Sequence, residues 1–140
     1  MKVLFDTNVI LDVLLAREPH VSTAAKLFSL VDSERLDGRI CATTVTTVAY
    51  LATKALGAKQ AKKLVRQVLD LFGIAAVDGR VLDAALRLDF DDFEDAVVHE
   101  AARACGAAGI VTRNGLDFAR ASLPVFDPHE LLSAVVAAGD

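Results

Sequence analysis

The sequence predicts a three-layer α/β fold with a mostly parallel sheet of four to five strands, in a single domain over residues 1–140. Three observations carry this reading. Short apolar runs alternate with longer stretches of helical periodicity, the rhythm of successive β–α units. Several of these runs break off at polar turn residues such as Asp6-Thr7-Asn8, Asp78-Gly79 and Arg113-Asn114-Gly115. Apolar residues make up 54% of the 140, enough to build a full core without staples.

Val3 to Phe5 is an apolar run stopped at once by Asp6-Thr7-Asn8, the mark of a buried parallel strand ending in a turn, with a helix starting near Val9. Pro19 opens a second helix, in which Val21, Ala24, Ala25, Leu27, Phe28 and Val31 recur at helical spacing. Asp37-Gly38 reads as a turn and Arg39–Ala42 as the second strand. Thr43 or Thr44 is placed to cap the helix carrying Val48, Leu51, Ala52 and Ala55, which stops at Gly57. A further helix runs from about Lys59 to Phe72, ended by Gly73, and Ile74–Val77 is the third strand. Asp78-Gly79 leads into a helix ending near Leu88. Asp91 or Asp92 starts the next, through Ala96, Val97, Ala101 and Ala104 to Gly106. Ile110-Val111-Thr112 is the fourth strand and Val125-Phe126 a short fifth. Asp127-Pro128 begins a terminal helix, with a capping Asp ahead of Pro at the first helical position. There is no internal repeat, low-complexity segment or linker.

Composition narrows the function classes. Fifteen basic against nineteen acidic residues give a net charge of -4, which argues against avid, sequence-blind coating of DNA. An enzyme acting on nucleic acid stays open, because a bound cation can supply the local positive charge. Cys41 and Cys105 lack Cys or His neighbours at zinc-ligand spacing and read as buried free thiols in a reducing cytoplasm. A charge at position 6 comes too early for a secretory apolar segment, and no apolar run approaches a membrane span. The expectation is a soluble cytoplasmic protein.

In open parallel sheets, ligands sit beyond the carboxyl ends of the strands, near a switch in strand order. Asp6, Thr7 and Asn8 follow strand one, Asn114 and Asp117 follow strand four, and Asp95 lies early on the helix before strand four. Asp89, Asp91, Asp92, Glu94 and Asp95 occupy five of seven positions, and helical spacing places Asp92 and Asp95 on one face. Like charges that close repel unless solvated, protonated or bridged by a cation. A carboxylate set without thiols or imidazoles points to magnesium or manganese rather than zinc or copper. The 89–95 run has a plainer explanation as helix-start electrostatics and a solvated loop. Asn114 and Asp117 have one as a polar turn. Asp6 is harder to dismiss, since capping the next helix is the only cheap structural role for an acid flush against a buried strand.

The opening Val3-Leu4-Phe5-Asp6-Thr7-Asn8-Val9-Ile10-Leu11-Asp12 resembles the start of PIN-domain ribonucleases, including the toxins of VapBC-type toxin–antitoxin pairs. Phe93-Glu94-Asp95-Ala96-Val97 resembles the second acidic motif of that family, and Ile110 through Phe118 its third. Order and spacing match over essentially the whole chain. The resemblance implies a PIN-like three-layer fold in which Asp6 and Asp95 are direct ligands of Mg2+ or Mn2+. Asn114 and Asp117 then join the same catalytic pocket, with Asp117 as a further metal ligand, and Thr7 and Asn8 orient the Asp6 carboxylate. It also implies an RNA substrate, a separately encoded antitoxin protein that covers the cleft, and a homodimer. One departure stands out. The family usually carries a further acid, often Glu, on the helix after strand two, but Thr43-Thr44-Val45-Thr46-Thr47-Val48-Ala49-Tyr50 has none, and Thr47 or a neighbour takes the place. That leaves open a shifted metal requirement, a one-metal site, or a PIN module that binds RNA or protein without cutting.

The implied chemistry is phosphodiester hydrolysis, with Asp117 or Asp92 as candidates to position or deprotonate the attacking water. Phosphate needs cations to meet it. Arg113, beside Asn114, is the leading substrate-binding candidate together with Asn8, and Arg17 a weaker one. Lys59, Lys62, Lys63 and Arg66 form one basic helical stripe, whose plainer reading is a solvated face. His20, His99 and His129 read as structural or solvated, with His99 the leading exception because it shares a helical face with Asp95. An aspartate-nucleophile phosphotransferase also places Asp after strand one, but it expects a second Asp two residues later, where this chain has Asn8.

Overall fold

A computed structural model describes residues 1–139 and shows β1 (Lys2–Phe5), α1 (Thr7–Leu14), α2 (Val21–Asp32), β2 (Asp37–Cys41), α3 (Ala42–Leu56), α4 (Ala58–Leu71) and β3 (Gly73–Ala75). There follow α5 (Gly79–Leu86), α6 (Phe93–Ala104), β4 (Gly109–Val111), a 3-10 turn (Gly115–Phe118), β5 (Val125–Phe126) and α7 (Pro128–Gly139). The five strands form one parallel sheet in the order β3-β2-β1-β4-β5. The expected three-layer α/β architecture is what the chain adopts.

Strand alternation sorts the side chains into two cores, because successive residues of a strand point to opposite faces. Val3 and Phe5 of β1, Ile40 of β2 and Val111 of β4 meet residues of α1, α2, α3, α4 and α7 on one face. Leu4, Cys41 and Ile110 meet α5 and α6 on the other. Phe5, Phe28 and Phe72 pack edge to face at the centre of the first core, with ring centroids 5.0–6.3 Å apart.

Several boundaries differ from expectation. Asp37-Gly38 lies inside β2 rather than forming a turn. Gly38 serves packing: a Cβ there would stand 2.7 Å from Val31 Cγ2 and 2.8 Å from the Phe72 ring. Pro19 sits in a turn ahead of α2, whose first residue is Val21. Thr43 and Thr44 do not cap α3, which begins at Ala42 directly after β2 without a side-chain cap. β3 is Gly73–Ala75, one residue earlier at its start and two at its end than Ile74–Val77.

Three helices end in a left-handed residue with paired bonds back to the last turn. Arg17 N–H reaches Asp12 O and Ala16 N–H reaches Val13 O after α1. The same pair joins Arg35 to Leu30 and Glu34 to Val31 after α2, and Ala107 to Ala102 and Gly106 to Arg103 after α6. Glycine fills the positive-φ position only after α6; Ala16 (φ 50°) and Glu34 (φ 61°) carry it elsewhere.

Candidate metal centre

The order of the sheet reverses between β1, its central strand, and β4 beside it, so a crevice opens beyond their carboxyl ends. Asp6 stands at that point. Its backbone N–H donates to Val111 O at 3.0 Å, closing the end of β1 onto β4. Its side chain is only 7% exposed. One oxygen accepts from Thr7 N–H at 2.9 Å; the other accepts from the Thr112 hydroxyl at 2.8 Å and from Asn8 Nδ2 at 3.3 Å. Three donors on one carboxylate fix its orientation, although burial still pushes its pKa above 3.8, with the charges of Asp117 and Glu94 adding to the push. The capping role alone does not account for it, since Asp6 satisfies only the first N–H of α1.

α6 brings the second carboxylate. Asp92 caps this helix, its Oδ1 accepting from Glu94 N–H at 2.7 Å and, more weakly, from Asp95 N–H at 3.4 Å. That cap turns the first helical turn into the cleft, which is about 310 Å³ and is lined by Asp6, Asp92, Glu94, Asp95 and Asp117 together with Thr7, Asn8, Thr47, Arg17 and Asn114. Asp95 is pushed up to about 7, first by burial and then by the charges of Asp92, Asp6, Asp117 and Glu94. Asp117 comes from the 3-10 turn after β4. Thus Asp6, Asp95, Asn114, Asp117 and Asn8, singled out in the sequence from three distant motifs, line one cleft.

Glu94 faces the acid-free stretch of α3 across the cleft. The Thr47 hydroxyl donates to Glu94 Oε1 at 3.3 Å, so an acid faces Thr47 from the opposite wall. Within the sequence Glu94 belonged to the acidic run, and its position one residue before Asp95 was the available signal. Thr112 was also missed. Its buried hydroxyl donates to Asp6, accepts from Asn8 Nδ2 at 3.0 Å and accepts from Asn114 N–H at 3.0 Å, tying three site residues together.

Arg113 lies apart from the cleft wall. Its guanidinium makes a two-point contact with Asp12, Nε to Oδ2 at 2.6 Å and Nη2 to Oδ1 at 3.0 Å, while its N–H donates to Asn8 Oδ1 at 3.0 Å. Lys59, Lys62, Lys63 and Arg66 are exposed along α4, outside the cleft. His99 is buried beside Phe90, and its Nε2 accepts from Ser122 N–H at 3.0 Å; burial lowers its pKa. It is a core residue. Cys41 is buried and Cys105 half-buried, both free thiols, and no helix among the described residues is long and apolar enough to cross a membrane.

The donor set fits a hard cation. Five carboxylates and a single cation, Arg17, line the cleft among the described residues, a charge excess that an Mg2+-like ion relieves. No three His, Cys, Asp or Glu side chains among the described residues stand close enough to hold an ion by themselves. Magnesium does not require that, because it keeps several waters and takes one or two carboxylates.

Solved structures share this fold. A toxin–antitoxin complex from Klebsiella pneumoniae is 24% identical with a TM-score of 0.68, over 91% of this chain and 98% of that one. VapBC2 from Rickettsia felis, bound to a promoter DNA fragment, is 16% identical with a TM-score of 0.71 over the same shares. VapC20 from Mycobacterium tuberculosis, a sarcin-ricin loop cleaving toxin, is 16% identical with a TM-score of 0.62, over 98% and 95%. At these identities the likeness speaks for the fold. No curated protein matches by sequence. The family model described as PIN domain matches residues 2–115, a span that runs from β1 past β4 and takes in Asp6, Asp95 and Asn114. The chain therefore belongs to the PIN-domain family.

Proposed function

We propose that the protein is a metal-dependent ribonuclease, the toxin of a toxin–antitoxin pair, with Asp6, Asp95 and Asp117 as ligands of Mg2+ or Mn2+. The observation that carries this reading is the convergence of carboxylates from β1, α6 and the turn after β4 on one cleft, where Asp95 is raised to about 7. A bound cation would supply Lewis acidity, activating a water and neutralising charge on the phosphate oxygens. Asp6 is the rigid ligand, held by Thr112, Thr7 and Asn8. Asp117, exposed at the cleft mouth, or Asp92 takes the proton of the attacking water, and Asn114 orients it. Glu94 stands in for the family acid absent from α3. Arg113 acts through Asp12 and Asn8. A cytoplasmic homodimer and a separately encoded antitoxin complete the reading; the toxin–antitoxin assembly of the Klebsiella pneumoniae relative supports the latter.

The test incubates the protein with structured and single-stranded RNA in manganese, in magnesium and in chelator. Cleavage with either metal, abolished by chelator and in Asp6→Ala and Asp95→Ala, is expected. The absence of an acid from α3 favours a second reading, a PIN module that binds without cutting. RNA that stays intact under every condition while still being bound would establish that reading instead.

A further inference from the structure

We propose that Arg17 is the cation that receives a substrate phosphate in the acidic cleft, positioned there by the buried Asp12; this rests on the nuclease reading above and adds the residue that meets the nucleic-acid backbone. Asp12 is fully buried, at 0% exposure, and its carboxylate takes both nitrogens of the Arg113 fork and Arg17 Nε at 2.9 Å. A buried carboxylate needs one guanidinium to neutralise it, and the two-point Arg113 contact meets that need. The second guanidinium leaves a net positive charge, and Arg17 is the one that lines the cleft.

Arg17 is also held at a second point. Its Nη2 donates to Asn8 O at 3.1 Å, so the side chain folds back along α1 toward Asp6. The backbone prepares this return: Ala16 at φ 50° reverses the chain and Arg17 N–H bonds Asp12 O. With Nε and Nη2 occupied, Nη1 has no partner among the described residues, and the side chain keeps 38% exposure. A fixed, half-exposed guanidinium with an open donor beside five carboxylates is suited to a polyanion that the cleft would otherwise repel.

The test is fluorescence-anisotropy binding of a labelled single-stranded oligouridine across a salt series, in calcium so that binding is read apart from cleavage. Arg17→Gln keeps Asp12 paired to Arg113 and is expected to fold, with a melting temperature lowered only by the lost contacts to Asp12 and Asn8 O. Its affinity should fall about tenfold, the loss of one charged contact. The slope of log affinity against log salt should shrink by about 0.7, the contribution of one single-strand phosphate contact. Arg17→Lys should keep the slope. Wild-type affinity and slope in Arg17→Gln, or a slope unchanged alongside a lowered melting temperature, would make Arg17 a structural counter-ion and overturn the proposal. Failure of the wild type to bind the oligomer would overturn it as well. Metal-dependent RNA cleavage by the wild type is scored separately, so a normal slope in a cleaving enzyme defeats only the Arg17 assignment. A reduced slope in a protein that never cleaves defeats only the nuclease reading.

Discussion

Replacing Asp95 by Asn should stabilise the protein in a chelating buffer, and do so only above acidic pH. Asp95 titrates near 3.8 in an unfolded chain and at about 7 in the folded one. The folded state therefore holds the proton more tightly, and stability is greatest below pH 3.8 and declines as the pH climbs through 7. Taken at face value, the gap between 3.8 and about 7 amounts to roughly 4 kcal/mol at about 1.4 kcal/mol per pH step. The side chain is only partly enclosed, so water screens much of that, and about 2 kcal/mol is the reasonable expectation. For a chain of this length that corresponds to a rise of roughly 8 °C in Tm at pH 8. The assay is thermal unfolding of wild type and Asp95→Asn in EDTA at pH 4 and pH 8. Near-equal melting at pH 4, with the variant ahead at pH 8, is expected, and millimolar manganese should raise the wild type more than the variant. Asp95→Asn melting below wild type at pH 8, or a difference independent of pH, would refute the idea that carboxylate crowding strains the cleft. Asp6→Ala serves this purpose less well, because it also strips the Thr112 hydroxyl of its acceptor.

Glu94→Gln preserves the shape and an acceptor for Thr47 while removing the charge, and should raise the manganese needed for half-maximal cleavage by about 10- to 100-fold; an unchanged requirement would remove Glu94 from the site. Ala16→Gly should stabilise the protein by about 0.5–1 kcal/mol, because glycine adopts the positive φ at no steric cost. Urea unfolding that shows a loss instead would mean that Ala16 is not strained. Gly109→Ala should destabilise by about 1–3 kcal/mol, since its Cβ would lie 2.6 Å from Phe126 Cε2 and 2.9 Å from the Pro124 carbonyl, which cannot swing aside. A lower urea midpoint at constant slope is the check.

What the sequence disclosed and what it concealed divide by range. Asp6 was legible because a carboxylate ending an apolar strand has few uses, and Asp92 because a cap before a helical run is a local signal. The parallel sheet followed from the alternation of runs. Asp37-Gly38 misled because glycine marks turns by its backbone freedom, yet Gly38 is there to admit Val31 and Phe72 to the core. Thr43 and Thr44 looked like caps, but α3 follows β2 with no loop to cap from. The rest depends on distant contacts. Nothing near Thr47 announces that Glu94 faces it, and nothing near Asp12 announces that Arg113, 101 residues away, folds over it. Arg113 was therefore expected at the phosphate, whereas its guanidinium is engaged by Asp12 and Arg17 is left facing the cleft.

Crystals of the protein soaked in manganese and recorded at the manganese absorption edge show directly whether Asp6 and Asp95 hold an ion, without relying on activity or on any substrate. An anomalous peak within reach of the Asp6 and Asp95 carboxylates is expected. A featureless map there, or carboxylate oxygens standing too far apart to share one ion, would contradict that expectation.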